Sequence, residues 1–149
     1  MNRNIFAAAL AAGALAVTAA GAEPYVDYTP VKGVWEVQTI KVDPNHIDDY
    51  LTGLKKNFIP VLETLKKHGV IDRYLILQKL NSNAGDNIQI VQHFPTTAAL
   101  DPDQGRDQAI DKEIKARMSK EQSDKIIAGY DKYRTFQADE MWTEVDMSK

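Results

Sequence analysis

Residues 46–68 have a helical period, and their position between two β-type stretches constrains the fold more than any other feature of the chain. Apolar side chains recur there at steps of three and four residues, while charged side chains occupy most of the opposite side. Lys66, Lys67 and Gly69 suit a helix end, because cations favour the negative end of the dipole and glycine adopts the left-handed cap. We therefore predict a long amphipathic helix, kinked at Pro60 because proline removes one backbone donor.

Four stretches rich in β-branched and aromatic residues are predicted as strands, at residues 33–42, 70–80, 87–94 and 138–146. A polar segment at residues 81–86 separates the second strand from the third and is typical of a hairpin turn. Two further helices are predicted at residues 107–117 and 120–134. Ser119 and Gln122 stand at capping-box spacing before the second of them.

The resulting order is strand, helix, strand, strand, helical region, strand. A split βαβ unit repeated twice is the ferredoxin-like arrangement, an α+β fold whose antiparallel sheet is covered by helices on one face. We expect a single such domain at residues 33–146. Residues 23–32 contain Pro24 and Pro30 without any period and are predicted as an extended arm, and residues 147–149 as a short tail.

The first residues carry the pattern of a secretory signal peptide. Arg3 supplies a positive charge, an alanine-rich apolar run follows at residues 5–20, and an A-x-A cleavage site stands at residues 20–22. The run is too weakly apolar for a membrane anchor, which needs about 20 strongly apolar residues. We therefore expect residues 1–22 to be removed, leaving a periplasmic or secreted protein without membrane attachment.

Composition excludes several classes of site. The chain has no cysteine, which rules out disulfides, thiol catalysis, iron–sulfur clusters and thiolate zinc sites. A net charge of −3 gives no electrostatic reason to expect nucleic acid as a partner. His46 and His68 lie at opposite ends of the first helix, and no histidine pair has ligand spacing, so no metal site is predicted.

The predicted strands have large apolar groups on both faces. In the first strand, Trp35 and Val37 share one face, while Glu36 and Gln38 share the other with apolar neighbours. A bare face with such apolar groups usually marks an interface. We therefore expect a homodimer in which a second copy packs its sheet on the first about a two-fold axis. The facing sheets would enclose a partly polar interior that includes His93 and could hold a small, partly apolar molecule.

The segment VWEVQTIKVDPNHIDDYLTGLKK, followed by IDRYLILQKL, a turn and NIQIVQHF, resembles the dimeric α/β-barrel superfamily, with its antibiotic-biosynthesis-monooxygenase-like and NIPSNAP-like members. The resemblance is one of layout over most of the domain. Asn45 stands where many relatives have glycine, and residues 105–134 are longer than the usual second helix. It implies a dimeric barrel and, for an enzyme, cofactor-free or haem-assisted oxidation of an aromatic or polyketide-like compound, but no catalytic residue by motif.

His93 and Glu36 are the candidate catalytic residues. The imidazole of His93 titrates near neutral pH, so it could act as a general base, a ligand-orienting donor or an axial haem ligand; alternatively it bonds a neighbouring carbonyl. A desolvated Glu36 would have a raised pKa and could act as an acid or base. The candidate ligand-binding residues are Trp35, Gln38, Arg73, Tyr74, Gln89 and Trp142. Alternatively, Arg73 forms a cross-strand pair, and the aromatic residues, together with Tyr130, Tyr133 and Phe136, belong to the core.

Two functions are compatible with this pattern. The first is an exported small-molecule-binding protein, with oxygenase activity as the chemistry that the resemblance implies. The second is a non-enzymatic module that uses its sheet face only for self-association. The sequence leaves open whether the chain is an enzyme, and its ligand and cofactor stay unknown.

Overall fold

A four-stranded antiparallel sheet with three helices forms the centre of the computed structural model, which describes residues 21–80 and 85–148. The elements are β1 (Thr29–Pro30), β2 (Val34–Val42), α1 (Ile47–Lys67), β3 (Arg73–Gln78), β4 (Ile88–Phe94), α2 (Gln104–Arg117), α3 (Lys120–Asp131), β5 (Arg134–Trp142) and β6 (Val145–Asp146). Most of the predicted signal peptide and of the hairpin turn lies outside the described residues. Within them, no helix is long and apolar enough to cross a membrane.

The sheet order is β3-β4-β2-β5, and every neighbouring pair is antiparallel. This order confirms the predicted ferredoxin-like α+β fold, with β2 and β4 at the centre and the helices on one face. A separate two-stranded sheet joins β1, within the predicted N-terminal arm, to β6.

The predicted boundaries around the last helix and strand were wrong. The helix α3 ends at Asp131, and β5 begins at Arg134, inside the segment predicted as helix. The reason is tertiary: the backbone N–H of Asp43 donates to the carbonyl of Tyr133 at 2.8 Å, and the residues after Tyr133 pair with the end of β2. The strand also stops at Trp142, so that the predicted strand 138–146 is divided between β5 and β6.

A β-bulge in β5 sets the direction of its side chains. Thr39 of β2 lies opposite Ala138, but the next residue, Ile40, lies opposite Phe136, so Gln137 is an extra residue without a partner strand residue. The bulge places Phe136 on the helix-covered side of the sheet together with Ile40. Regular alternation would have placed Phe136 on the opposite side.

The main core lies between α1, α3 and the sheet. Tyr50 and Leu54 of α1 pack with Tyr130 of α3 on the buried residues of the central strands, which are Ile40, Val42, Ile88 and Ile90. The rings of Tyr50 and Tyr130 meet edge to face, with centroids 5.3 Å apart. This contact joins both helices to the sheet at one point.

The helix α2 is attached differently, because Ile110 is its one buried residue. Its Glu113 carboxylate accepts from Lys67 at 2.9 Å and bonds His68 at 3.2 Å, both at the end of α1, and it also accepts from Arg117 at 2.6 Å. These partners, Lys67 first, lower the pKa of Glu113 to about 2. A group of charged side chains, rather than a broad apolar face, therefore holds α2 against α1.

Gly53 allows α1 and α3 to approach closely. A Cβ atom at this position would overlap the ring of Tyr130, which is buried with 4% exposure. Gly129, inside α3, has nothing within 4 Å of the corresponding position. The two glycines thus stand in the same kind of helix with opposite surroundings.

We predict that Gly53→Ala destabilises the protein, although alanine is the better helix former, because the new methyl group displaces Tyr130. The expected loss is roughly 1–3 kcal/mol, the usual effect of overpacking a core. Gly129→Ala is the matched control and should stabilise by roughly 0.5–1 kcal/mol, since it reduces backbone entropy without a clash. Urea unfolding measures both, and two changes of the same sign would contradict a close helix contact at Gly53.

Candidate functional site

The structure divides the sequence-predicted residues between the two faces of the sheet. Alternation along the strands and their register place one group on the face that the helices cover and the other on the open face. The helix-covered face carries Glu36, Gln38 and Tyr74. The open face carries Trp35, Arg73, Gln89, His93 and Trp142. The eight residues therefore cannot form one site within a single chain.

On the open face, one row of residues crosses all four strands. Arg73, His93, Trp35 and Trp142 are successive partners in this row. The ring centroids of Trp35 and His93 are 4.5 Å apart, and the Arg73 guanidinium carbon lies 5.5 Å from the centroid of the Trp35 ring. Trp142, at the end of the row, is 55% exposed. This row is a surface of aromatic and cationic groups.

His93 is bonded through one ring nitrogen and packs closely at the other. Its Nδ1 lies 2.6 Å from a carboxylate oxygen of Asp72, and the backbone N–H of Asp72 donates to the His93 carbonyl at 3.0 Å. Its Nε2 packs against Gly33, where a Cβ atom would overlap the imidazole. The φ of Gly33 is 98°, a value that glycine adopts readily and other residues rarely do. These contacts fix the end of β4 against the segments before β2 and β3.

Each histidine makes a local contact that accounts for its place in the fold. His93 lies between Asp72 and Gly33 on the open face of the sheet. His46 stacks on Tyr133 with ring centroids 3.5 Å apart, and His68 bonds Glu113. Among residues 21–80 and 85–148, no group of three histidine, aspartate or glutamate side chains is arranged to hold a metal ion.

Two of the remaining predicted residues make local bonds. The hydroxyl of Tyr74 donates to Glu63 at 2.6 Å and so joins β3 to α1, and this bond raises the pKa of Tyr74. The amide of Gln89 lies 3.5 Å from the hydroxyl of Thr39 on the neighbouring strand. Both contacts belong to the sheet and its attachment to the helix.

A cleft lies on the helix-covered face, where α1 and α3 leave part of β5 uncovered. Its volume is about 280 Å³, and Gln38, Ile90 and Phe136 form its floor. Its walls come from the helices, with Leu54, Asn57 and Phe58 from α1 and Ile127 and Tyr130 from α3. Phe136 is 53% exposed although it is a large aromatic residue on this side of the sheet. The floor continues past Gln38 and Phe136 as a shallow groove that reaches Asp139.

Arg134 supplies a cation at one end of this cleft. Its guanidinium carbon lies 4.6 Å from the ring centroid of Phe136 and 5.0 Å from that of Tyr130, within the range of cation–π attraction. Its Nε donates to Asp131 at 2.9 Å, and its side chain is 15% exposed. The guanidinium also interacts with Tyr50, and because it has five N–H donors it retains some for an anionic or carbonyl oxygen of a ligand.

Two carboxyl groups lie beyond Gln38 on the same face. Glu36 accepts a hydrogen bond from Gln92 at 2.7 Å, and the Gln38 amide lies 3.5 Å from an oxygen of Asp139. Burial raises the pKa of Glu36 above its ordinary value of 4.5; the nearby charge of Asp139 raises it further, and a hydrogen bond from Gln38 partly opposes the change. Glu36 is therefore the carboxyl group in this region that the fold makes a stronger base.

We predict that Glu36→Gln stabilises the protein at neutral pH. The folded state binds a proton at Glu36 more tightly than the unfolded state does. The contribution of Glu36 to the free energy of unfolding is therefore fully present below pH 4.5, and it is lost as the pH rises through the higher folded-state pKa. Glutamine keeps an acceptor for Gln92 without the charge. The increase in the free energy of unfolding of Glu36→Gln over the natural protein should thus be small at about pH 4 and larger at about pH 8, as measured by urea unfolding.

Glu23→Gln is the control for this comparison, because it removes the same charge from an exposed position outside the sheet. A gain from Glu36→Gln that is equal at both pH values would show that burial does not shift this carboxyl group.

Sequence reasoning misses the cationic end of the cleft. The predicted helix at residues 120–134 includes Arg134, and its true place in a strand depends on pairing with Val42, which is distant in sequence. The sequence favours a core position for both Tyr130 and Phe136; Tyr130 is buried, whereas Phe136 is 53% exposed, so the core prediction is wrong for Phe136. A usable signal is present in the run Arg134-Thr135-Phe136, whose cationic, β-branched and aromatic residues suit a strand.

No family model matches the chain, and no curated protein matches it. Similar solved structures include a dimeric protein of unknown function and ferredoxin-like fold from Bacteroides fragilis, 16% identical over 75% of this chain and 94% of its own, with a TM-score of 0.39. Two crystal structures of one Agrobacterium tumefaciens protein, in one case described as a NIPSNAP family protein with unknown function, are 13% identical. They cover 74% and 76% of this chain and 90% and 87% of their own, with TM-scores of 0.37 and 0.38.

The NIPSNAP-like, ferredoxin-like resemblance expected from the sequence recurs in these descriptions. At such identities the likeness is one of fold. What this chain binds or does has to be argued from its own side chains.

Proposed function

We propose that this chain is an exported small-molecule-binding protein whose ligand occupies the cleft between α1, α3 and the β2–β5 half of the sheet. The observation that carries the proposal is the combination of groups around this cleft. Aromatic and aliphatic side chains line it, the Arg134 cation lies at one end, and the Glu36 carboxyl, with its raised pKa, lies beyond the other. Ligand sites of proteins commonly combine an apolar lining with a few convergent polar groups in this way.

The shape and charge of the cleft favour a flat, partly aromatic molecule with an acidic group. The exposed ring of Phe136 offers a stacking surface, since aromatic pairs gain energy beyond simple burial. A carboxylate of the ligand would approach Arg134, and a hydroxyl would approach Gln38 and Glu36. The volume of about 280 Å³ suits a small bicyclic compound.

Proton transfer is the chemistry that this arrangement supports. Glu36 would accept a proton from the hydroxyl of the ligand and leave an electron-rich phenolate in an apolar environment. The sequence resemblance implies cofactor-free or haem-assisted oxidation of an aromatic compound, and a phenolate is the electron-rich form that dioxygen would oxidise in the cofactor-free case. In this proposal His93 holds the end of β4 in place, whereas Glu36 is the acid or base, as expected from the sequence.

The cleft is tested with 6-hydroxy-2-naphthoate, which carries a hydroxyl and a carboxylate at opposite ends of a flat bicyclic ring. We expect Phe136→Ala to weaken its binding roughly threefold to tenfold in isothermal titration calorimetry, because the stacking surface is lost. Leu77→Ala removes a comparably exposed apolar group from the open face and should leave the affinity unchanged. Equal affinities for the natural protein and Phe136→Ala would place the ligand elsewhere.

A second function is favoured by the open face of the sheet. Leu75, Val91 and Val37 form an apolar row across three strands, and Leu77 and Trp142 are 44% and 55% exposed. An apolar face of this kind is usually covered by a partner. We infer that a second copy of the chain covers this face in a two-fold dimer. The dimer either accompanies ligand binding in the cleft or is itself the function of the protein.

The dimer is tested with Val37→Lys at the centre of the open face. Val37 lies opposite Val91 on one side and Glu140 on the other, so a lysine could pair with Glu140 and keep the single chain folded. We expect the variant to be monomeric in native mass spectrometry, where the natural protein gives a two-chain mass. Thr52→Lys, an exposed position on α1, is the control and should remain dimeric. A dimeric Val37→Lys protein would show that this face is not the interface.

A further inference from the structure

A second cavity lies among the three helices. Its volume is about 460 Å³, within the range of small-molecule sites and larger than the cleft on the sheet. Pro60 and Val61 of α1, Ile114 and Met118 at the end of α2, and Ile127 of α3 give it an apolar lining. We refer to it as the interhelical groove.

The groove exists because α2 is not packed on α1 along its whole length. The charged group around Glu113 ties the two helices together, whereas Ile114 and Met118 beside it stay half-buried. A helix end of this kind would normally close on its neighbour to bury its apolar side chains. Here the space between them is left open.

The polar groups around the groove favour an anion. Lys56 and Arg117 are exposed cations that line it, and no aspartate or glutamate does so among the described residues. Arg117 is shared with Glu113 at 2.6 Å, so Lys56 is the freer charge. Asn57 accepts from the hydroxyl of Ser123 at 2.9 Å through its Oδ1, which leaves its amide N–H groups as further donors.

We propose that the interhelical groove binds a single-chain anionic amphiphile, a free fatty acid, with its carboxylate at Lys56 and Arg117 and its acyl chain between the middle of α1 and the end of α2. The apolar residues match the chain, and the two cations match the carboxylate. The occupant is a free molecule rather than a lipid in a bilayer, because a net charge of −3 repels an anionic membrane surface. This site is separate from the proposed ligand cleft and does not depend on it.

The charge of the site is tested with dodecanoate below its micelle concentration, using isothermal titration calorimetry on the purified protein. We expect saturable binding that Lys56→Gln weakens about fivefold, since one exposed ion pair is lost. Lys55→Gln removes the same charge from the neighbouring position, which does not line the groove, and should bind like the natural protein. Equal weakening by both variants would show a non-specific charge effect and overturn the site.

The apolar part is tested with Met118→Trp, whose indole would fill the groove. We expect dodecanoate binding to be lost while the thermal unfolding temperature stays near that of the natural protein. Because a larger side chain could disturb the helix end, Val61→Asp provides a second test, since a carboxylate in the groove should repel dodecanoate. Undiminished binding in both folded variants would overturn the proposal.

Two further measurements distinguish a free fatty acid from a neutral amphiphile and from a membrane. Dodecanol should bind more weakly than dodecanoate, and binding of anionic phosphatidylglycerol vesicles without binding of dodecanoate would make a membrane the occupant and contradict the proposal. Binding of 6-hydroxy-2-naphthoate should be unchanged in Met118→Trp, and binding of dodecanoate should be unchanged in Phe136→Ala. Failure of one site is thereby distinguishable from failure of the other.

Discussion

The contact between Gly53 and the ring of Tyr130 fixes the arrangement on which both cavities depend. It brings α1 and α3 together at one end, above the buried strands. Towards the other end the helices are joined by the hydrogen bond from Ser123 to Asn57, and Asn57 and Ile127 line the sheet cleft on one side and the interhelical groove on the other. One helix pair thus forms a wall between two largely apolar spaces, each of which has a cationic side chain in its lining. The distance between α1 and α3 is set by Gly53, a residue that helix propensity alone would disfavour.

The cost of keeping Glu36 on the helix-covered face has a physical consequence. A carboxyl group that is partly buried beside a second carboxylate destabilises the folded state whenever it is ionised. Gln92 and Gln38 partly offset this cost by hydrogen bonding to the carboxyl group. With an apolar residue in place of Glu36, these two amides would lose that partner. Groups held in unfavourable protonation states are typical of sites that exchange protons, although structural pairs also occur. The polar strand residues therefore point to the cleft more strongly than the open-face histidine does.

The fold was predictable because its signals were local. The long helix, with its period and its end signals, and the order of the strands led to the ferredoxin-like layout without any tertiary information. The cleft was less accessible, because its shape depends on where α3 ends and on the bulge opposite Ile40. The bulge reverses the side on which Phe136 lies, and no local pattern reports an extra residue in a strand paired with a distant partner. The place of Arg134 was not predictable for the same reason.

The alternation of a strand explains why residues that are adjacent in sequence have different roles here. Trp35 and Glu36 are neighbours, yet one stacks on His93 on the open face and the other meets Gln92 beside the cleft. The polar residues of β4 divide in the same way: Gln92 supports the carboxyl group, while His93 fixes the strand end through Asp72. A second copy packed on the open face would bury the His93 side of the sheet and leave the cleft accessible from the helix side. Self-association and ligand binding are thus compatible in one chain, because the sheet separates the two surfaces.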